Sequence, residues 1–206
     1  MDISLENYDP NKHDKQIIAE LIFRSDEEMN SLVYSKEPID VITKLLETGD
    51  NYFSSENTYI AVSEDEIVGV IVGFPVNKKT EMDKISGKAF AKAMGTFTLI
   101  RKMPLYWKMN KIVAGEMDED GYYIHTISVK PEYQGRGIGS QMIELMGKEY
   151  GKLYLHVNSK NSRAINFYTK NGFEEKFRGE VKYKGRYLGE CLMERNETTD
   201  LKGMSR

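Results

Sequence analysis

Apolar residues follow two different spacings along this chain. Runs rich in Val, Ile, Tyr and Phe that end in turn residues are typical of strands, whereas apolar residues three and four positions apart are typical of amphipathic helices. The first pattern predicts strands at residues 2–7, 59–62, 67–74, 122–129, 152–157, 173–181 and 187–194. The second predicts helices at residues 14–23, 137–150 and 162–171, and one that Pro38 opens and Gly49 closes.

The order of these elements predicts the fold class. The C-terminal half reads strand, helix, strand, helix and hairpin. Two strands joined through a helix lie parallel in a sheet, and the strands of a hairpin lie antiparallel. We therefore expect an α/β protein, more narrowly α+β, with a mixed sheet of about six to seven strands flanked by helices.

Residues 77–113 interrupt this alternation between the third and fourth strands, and we interpret them as a helical insertion. Two helical faces are expected there, one formed by Phe90, Met94 and Phe97 and the other by Leu105, Met109, Ile112 and Val113. Gly95 and Pro104 should divide the two helices, because neither residue suits a helix interior. We treat residues 1–206 as a single domain with this insertion and a frayed polar tail at 196–206.

Composition narrows the functional classes. Cys191 is the single cysteine, so an intrachain disulfide and a thiolate metal cluster are both excluded, and no metal is expected. The N-terminal residues are polar and acidic where a signal peptide would need a cationic start followed by an apolar run. The best apolar stretch, residues 67–76, is about half a membrane span. We expect a cytoplasmic protein without a membrane partner.

Charge is distributed unevenly along the chain. Residues 77–114 hold nine Lys and Arg against Glu81 and Asp83, a local charge of +7, although the whole chain carries −3. The remainder must therefore carry −10, and acidic runs stand at residues 26–28 and 116–120. The basic insertion could lie against the acidic body as a lid, or steer an anionic ligand or partner.

The most informative segment is a glycine-rich turn between a predicted strand and a predicted helix, at residues 125–140. The first N–H groups of a helix have no partner within it and lie at the positive end of its dipole. Gly135, Gly137 and Gly139 would let an anion approach the backbone, and Arg136 adds a cation. The glycine spacing is neither the dinucleotide-binding fingerprint nor a P-loop. A tight turn without a ligand remains the simplest alternative.

Two motifs resemble those of the GNAT N-acetyltransferase superfamily. The run from Gln134 to Gly139 resembles its Q/R-x-x-G-x-G/A signature. The segment from Asn161 through Phe167-Tyr168 to Gly172-Phe173 resembles its N-x-x-A-x-x-F-Y-x-x-x-G-F segment. The resemblance covers about residues 56–195, with sharp motifs in 122–173. It implies a central mixed sheet of the GNAT type and the transfer of an acetyl group from acetyl-CoA to an amine.

The resemblance also implies roles for individual residues. In this family the pantetheine arm of the cofactor lies along one strand in a gap between two diverging strands, and a backbone N–H there polarises the thioester carbonyl. The positions that would hold acetyl-CoA are Ile127, Ser128 and Val129 on the strand, Gln134, Gly135, Arg136, Gly137, Ile138, Gly139 and Ser140 around the diphosphate, and Asn161 and Tyr168. Tyr168 would protonate the departing thiolate. Asn161 could be only a helix cap, and Tyr168 only a core residue.

The general base is left open between two histidines. The acceptor amine must lose a proton before it attacks, and histidine can accept one near neutral pH. His125 lies two residues before Ile127, so an unbroken strand would place both on one face. His156 lies on the neighbouring strand. Either could instead be a hydrogen-bonded core residue, and a water chain is a third candidate.

The resemblance leaves the acceptor open. Carboxylates near a pocket mouth would attract a cationic amine, so we expect a small-molecule amine substrate. The alternative is a peptide amine, at a protein N-terminus or a lysine. A further alternative is a non-catalytic module that binds acyl-CoA or docks on nucleic acid through the basic insertion. We do not expect nucleic acid to be a partner, and a homodimer is left open.

Overall fold

The computed structural model describes residues 2–34 and 37–197. Within them, seven strands form one sheet: β1 (Ser4–Asn7), β2 (Thr58–Ser63), β3 (Glu66–Pro75), β4 (Tyr122–Val129), β5 (Leu153–Asn158), β6 (Glu174–Tyr183) and β7 (Arg186–Arg195). The helices are α1 (Lys15–Ser25), α2 (Glu27–Tyr34), α3 (Pro38–Thr48), α4 (Lys79–Met94), α5 (Thr96–Met109), α6 (Ile138–Tyr150) and α7 (Ser162–Lys170). Most of the tail that was expected to be frayed, residues 198–206, lies outside the described residues.

The sheet has the strand order β1-β2-β3-β4-β5-β7-β6. Neighbouring strands are antiparallel except β4 and β5, which are parallel. The predicted mixed sheet flanked by helices is confirmed. In the described chain, no helix is long and apolar enough to cross a membrane, and no cluster of His, Cys, Asp and Glu could hold a metal ion.

Helices cover both faces of the sheet. On one face, apolar residues of α1 and α3 such as Ile18, Ile22 and Ile42 pack with Val70 and Val72 of β3. On the other face, α6 and α7 pack on β4 and β5. Burial of each such side chain stabilises the fold by about 1.5–3 kcal/mol. The sheet is therefore fixed from both sides, and local divergence of two strands leaves a gap within a rigid frame.

Helices α4 and α5 form the segment between β3 and β4. Leu105 and Ile112 are fully buried against the core of the first face. Phe97, however, is 73% exposed, so the expectation that it continues the face of Phe90 and Met94 is wrong. Helix α4 ends at Met94, and Gly95 with φ of 82° turns the chain before α5 begins.

A further expectation about the insertion needs correction. Pro104 does not divide two helices but lies inside α5. Trp107 of the same helix is 63% exposed. The Nζ of Lys111 lies 3.7 Å from the centre of the indole ring. Ile100 and Met103 of α5 are also largely exposed. Helical periodicity identified the apolar residues but did not show which of them pack on the core.

Candidate functional site

A gap opens between β4 and β5. The strands pair only where residues 122–124 lie beside residues 153–155, and beyond these pairs they diverge. The N–H of Lys130 donates to the carbonyl of Val68 on β3 at 2.9 Å. Because backbone groups alternate in direction along a strand, Ile127 and Val129 direct their N–H and C=O groups into the gap, whereas Ser128 directs its own toward β3. The β4 side of the gap therefore resembles the open edge of a sheet, to which an extended ligand can hydrogen-bond.

The glycine-rich turn lies at the end of β4, beside this gap. Gly135 and Gly137 have φ of 77° and 81°, and a Cβ at either position would meet nothing within 4 Å. These glycines are therefore required by the backbone conformation, and their lack of side chains leaves open space in front of the turn. The first backbone bond into α6 runs from the N–H of Gln141 to the carbonyl of Gly137, at 3.0 Å. The N–H groups of residues 138–140 thus have no helical acceptor, and this arrangement suits a diphosphate.

The other predicted residues of the turn play different parts. Gly139 allows close helix packing, since a Cβ there would lie 3.0 Å from Cζ of Phe167 on α7. Gln134 donates through Nε2 to the carbonyl of Val129 at 3.1 Å, which braces the turn against β4. The guanidinium of Arg136 is exposed and lies 5.2 Å from the ring centre of Tyr133. Ile138 is buried in the core, and the side chain of Ser140 lines a hollow on the outer side of α6.

A cavity of about 900 Å³ opens from the gap on the face of the sheet that carries α1 and α2. Helices α4 and α5 contribute the wall opposite the sheet. Of the predicted site residues, the cavity is lined by His125, Ile127, His156, Asn161 and Tyr168. The structure therefore brings together the candidate acid, both candidate bases and one edge of the gap.

His125 occupies a bulge in β4. Thr126 lies opposite Val72 of β3 while Ile124 lies opposite Gly73, so His125 is one extra residue in the ladder. A bulge redirects side chains. Ile127 consequently packs with the α6 side of the sheet, whereas the ring of His125 contacts aromatic residues on the cavity side. The expectation that His125 and Ile127 share a face is wrong.

The two histidines differ in what their ring nitrogens contact. His156 has its Nδ1 3.0 Å from the Tyr123 hydroxyl and its Nε2 3.2 Å from the carbonyl of Ala114, so both nitrogens are engaged. His125 has its Nδ1 2.9 Å from Oγ1 of Thr126. Among the described residues, Nε2 of His125 has no hydrogen-bond partner. Burial, followed by the nearby charge of Lys79, lowers the pKa of His125 to about 4, and burial likewise lowers the pKa of His156 to about 4. Both rings are therefore neutral at pH 7.

Tyr168 and Asn161 lie on and before α7. Tyr168 is 9% exposed, and its ring packs edge-on against Phe167 and Phe173. Burial raises the pKa of its hydroxyl, so the group keeps its proton and can donate it. Asn161 accepts a hydrogen bond from the N–H of Ala164 at 3.0 Å through Oδ1, so it is a helix cap and has its side-chain amide left for other contacts.

Sequence reasoning missed Tyr52 and Glu190 of the cavity and considered Asp26 only as part of an acidic run. The ring of Tyr52 stacks on His125 with centres 4.4 Å apart, and its hydroxyl donates to Oδ1 of Asp83 at 2.6 Å. Asp26 lines the cavity from the junction of α1 and α2, and Glu190 lines it from β7. A signal for Glu190 existed, because strand alternation places it on the same face as Leu188 and Leu192, where an apolar residue is normal.

Charges in the cavity are of both signs. Burial, together with the negative charge of Asp26, raises the pKa of Glu190 to about 8. Burial also raises the pKa of Asp26. Helix α4 contributes Lys79, which pairs with Asp83 at 2.9 Å. Of the two acidic runs in the sequence, the first thus contributes Asp26, whereas Asp118 of the second forms an ion pair with Lys152.

Cys191 is not part of this arrangement. It is fully buried and packs with the α6 side of the sheet. Burial raises the pKa of its thiol to about 11, so the thiolate needed for covalent catalysis is disfavoured. Cys191 is therefore a small core residue.

Similarity to known proteins accords with this geometry. Two relatives match short segments: the N-alpha-acetyltransferase RimI of Mycobacterium tuberculosis is 44% identical over 26% of this chain and 35% of its own length. The thialysine N-epsilon-acetyltransferase of Bos taurus is 35% identical over 35% of this chain and 45% of its own length. The chain thus spans less than half the length of either relative.

A solved structure and a family model extend the comparison to most of the chain. The crystal structure of a GNAT family acetyltransferase from Elizabethkingia anophelis with acetyl-CoA bound covers 94% of this chain and 97% of its own, with a TM-score of 0.51 and 18% identity, which is a likeness of fold. The model of the acetyltransferase (GNAT) family matches residues 20–173, which include the gap, the glycine-rich turn and Tyr168. The chain belongs to the GNAT acetyltransferase family.

Proposed function

We propose that this protein transfers the acetyl group of acetyl-CoA directly to a primary amine of a small cationic molecule. The observation that carries the proposal is the continuity of three features: the glycine-rich turn, the gap between β4 and β5, and the cavity that holds His125 and Tyr168. The first two suit the donor, and the third suits an acceptor that approaches from the other side of the thioester.

The residues around the gap fit coenzyme A. Backbone N–H groups of residues 135–140 would bind the diphosphate, with Arg136 as an adjacent cation. The N–H and C=O groups of Ile127 and the N–H group of Val129 would hydrogen-bond the pantetheine arm. Acetyl-CoA supplies an activated acyl group whose carbonyl carbon can accept a nucleophile. A backbone N–H of β4 in the gap would stabilise the charge that develops on the carbonyl oxygen.

Two side chains are proposed to move protons. Tyr168 would donate its proton to the departing sulfur, since its hydroxyl is neutral and lines the cavity. His125 would accept a proton from the acceptor amine, directly or through water, because the ring is neutral. His156 is the weaker candidate, since both of its nitrogens already have partners.

The enclosing helices favour a small acceptor. Residues of α4 and α5, among them Phe90, Leu99, Met103 and Tyr106, line the cavity opposite the sheet. An extended polypeptide needs an open groove, and these helices restrict one. The specific observation for the alternative, a protein N-terminus or lysine as acceptor, is the 44% identity to RimI over 55 residues.

A thiol-release assay with acetyl-CoA tests the proposal. A panel of small monoamines, diamines and amino acids should be compared with peptides that present a free N-terminus or a lysine, with product masses measured in parallel. We expect CoA release and a mass gain of one acetyl group with small cationic amines. Acetylation of peptides alone would favour the alternative, and no acetylation of any amine would refute the proposed activity.

A further inference from the structure

Glu190 is a buried carboxyl group on β7. Its residue is 7% exposed, and it lines the same cavity as His125 and Tyr168. Among the described residues, no hydrogen bond or ion pair involves its side chain. Burial of an unpaired carboxyl costs several kcal/mol in general, so such a group persists where a ligand pairs with it or a function retains it.

Asp26 contributes a second carboxyl group to the same place. Its Oδ1 accepts a hydrogen bond from the N–H of Met29 at 3.0 Å, which fixes it at the start of α2. Its Oδ2 lies 3.5 Å from Nδ2 of Asn158, the residue that pairs with Glu190 across β5 and β7. Two carboxyl groups from distant parts of the chain therefore converge at the end of β5, beside the gap.

The charged group that acts directly on Glu190 is acidic, although Lys79, Lys84 and Lys88 of α4 line the same cavity. Three ionisable groups interact electrostatically with Glu190: Asp26 at the α1–α2 junction, Tyr123 on β4, and Cys191, which follows Glu190 in the chain. The residue opposite Glu190 on β6 is Gly179. None of these is a cation. Burial and then repulsion from Asp26 raise the pKa of Glu190, and a cationic ligand group placed between the two carboxyl groups would offset both effects.

We propose that Asp26 and Glu190 form a binding subsite for an ammonium group of the acceptor other than the one that is acetylated. The inference rests on the proposed amine acetyltransferase activity. A pair of carboxylates stabilises the protonated form of an amine, whereas the attacking nitrogen must be neutral. The charge held at this subsite therefore belongs to a second group, and the acceptor class is a diamine or polyamine.

Kinetics with a matched pair of amines, n-butylamine and 1,4-diaminobutane, test this subsite. We expect the monoamine to show a KM at least about tenfold above that for the diamine, because a charge-assisted contact contributes about 1.5–3 kcal/mol. Glu190→Gln should raise the KM for the diamine toward that for the monoamine, with the monoamine value unchanged. Asp26→Asn, which keeps the Oδ1 acceptor for Met29, should act in the same direction. Glu180→Gln, at an exposed position on β6, is the matched control and should alter neither constant.

Calorimetry tests the subsite without catalysis. The titrant is 1,4-diaminobutane, added at pH 7 to protein saturated with CoA, in two buffers of different ionisation enthalpy. Because Glu190 with a pKa of about 8 is mostly protonated at pH 7, binding of the diamine should release a proton from the wild type and none from Glu190→Gln.

The outcomes separate this inference from the proposed function. Equal KM values for the two amines, or diamine binding without Glu190-dependent proton release, would overturn the subsite. An equal loss of kcat for both amines in Glu190→Gln, with KM unchanged, would also overturn it and make Glu190 a proton acceptor. Failure to acetylate any amine would refute the proposed activity, and the calorimetric measurement would still decide whether the subsite exists.

Discussion

Replacing Gly137 by alanine would test whether open space at the glycine-rich turn serves a ligand. A Cβ there meets no protein atom within 4 Å, so the methyl group causes no clash in the free protein. The φ of 81° does disfavour alanine, by about 1–2 kcal/mol of stability. The methyl group would occupy the space in which we expect the diphosphate to lie. Loss of one amide–phosphate hydrogen bond, worth about 1.5–3 kcal/mol, should raise the Kd for CoA about ten- to hundredfold.

Gly185 provides the matched control for this substitution. It lies in the β6–β7 turn with φ of 82°, and a Cβ there also meets nothing within 4 Å. Gly185→Ala should therefore cost a similar amount of stability and leave CoA binding unchanged. Calorimetric titration with CoA and thermal unfolding of both variants measure the two effects. Wild-type affinity in Gly137→Ala, or an equal loss in both variants, would refute the reasoning.

Three further experiments probe the chemistry and the insertion. Tyr168→Phe should lower kcat with little change in CoA affinity, because it removes the proposed acid and keeps the ring packing; unchanged turnover would remove Tyr168 from the mechanism. In the pH profile of kcat/KM, we expect the acidic limb near the lowered pKa of His125, about 4. His125→Gln should displace that limb, whereas His156→Gln should leave it in place. The opposite pattern would exchange the roles of the two histidines. Leu105 is 2% exposed, so Leu105→Ala should reduce the free energy of unfolding by about 2–5 kcal/mol. Trp107 is 63% exposed, so Trp107→Ala should change that free energy far less. Equal losses of the two variants in chemical denaturation would show that α5 does not pack as described.

The sequence predicted those parts of the molecule that depend on local patterns. The mixed sheet was predicted from the apolar runs typical of strands, the helical spacing of other apolar residues and the order of these elements along the chain. The glycine-rich turn was predicted from Gly135, Gly137 and Gly139, which stand between a predicted strand and a predicted helix. The relation of His125 to Ile127 could not be predicted, because the bulge depends on the register between β3 and β4 and therefore on contacts distant in sequence.

Helix α5 and Glu190 show one limit of sequence patterns and one signal that was overlooked. In α5 both Leu105 and Trp107 are apolar, and periodicity cannot show which of them faces the core. Glu190, by contrast, was visible as a charged residue at an inward position of β7. Its convergence with Asp26 required the fold, since the two residues are separated by most of the chain.

The central claim is that amides at the start of α6 bind the diphosphate of CoA and direct its thioester into the gap between β4 and β5. A crystal structure of the protein with CoA tests it most directly. We predict diphosphate oxygens about 2.7–3.2 Å from backbone nitrogens of residues 135–140, and the sulfur between Ile127 and the end of β5 near Tyr168. Nucleotide bound elsewhere, with the turn empty or closed by side chains, would contradict the account.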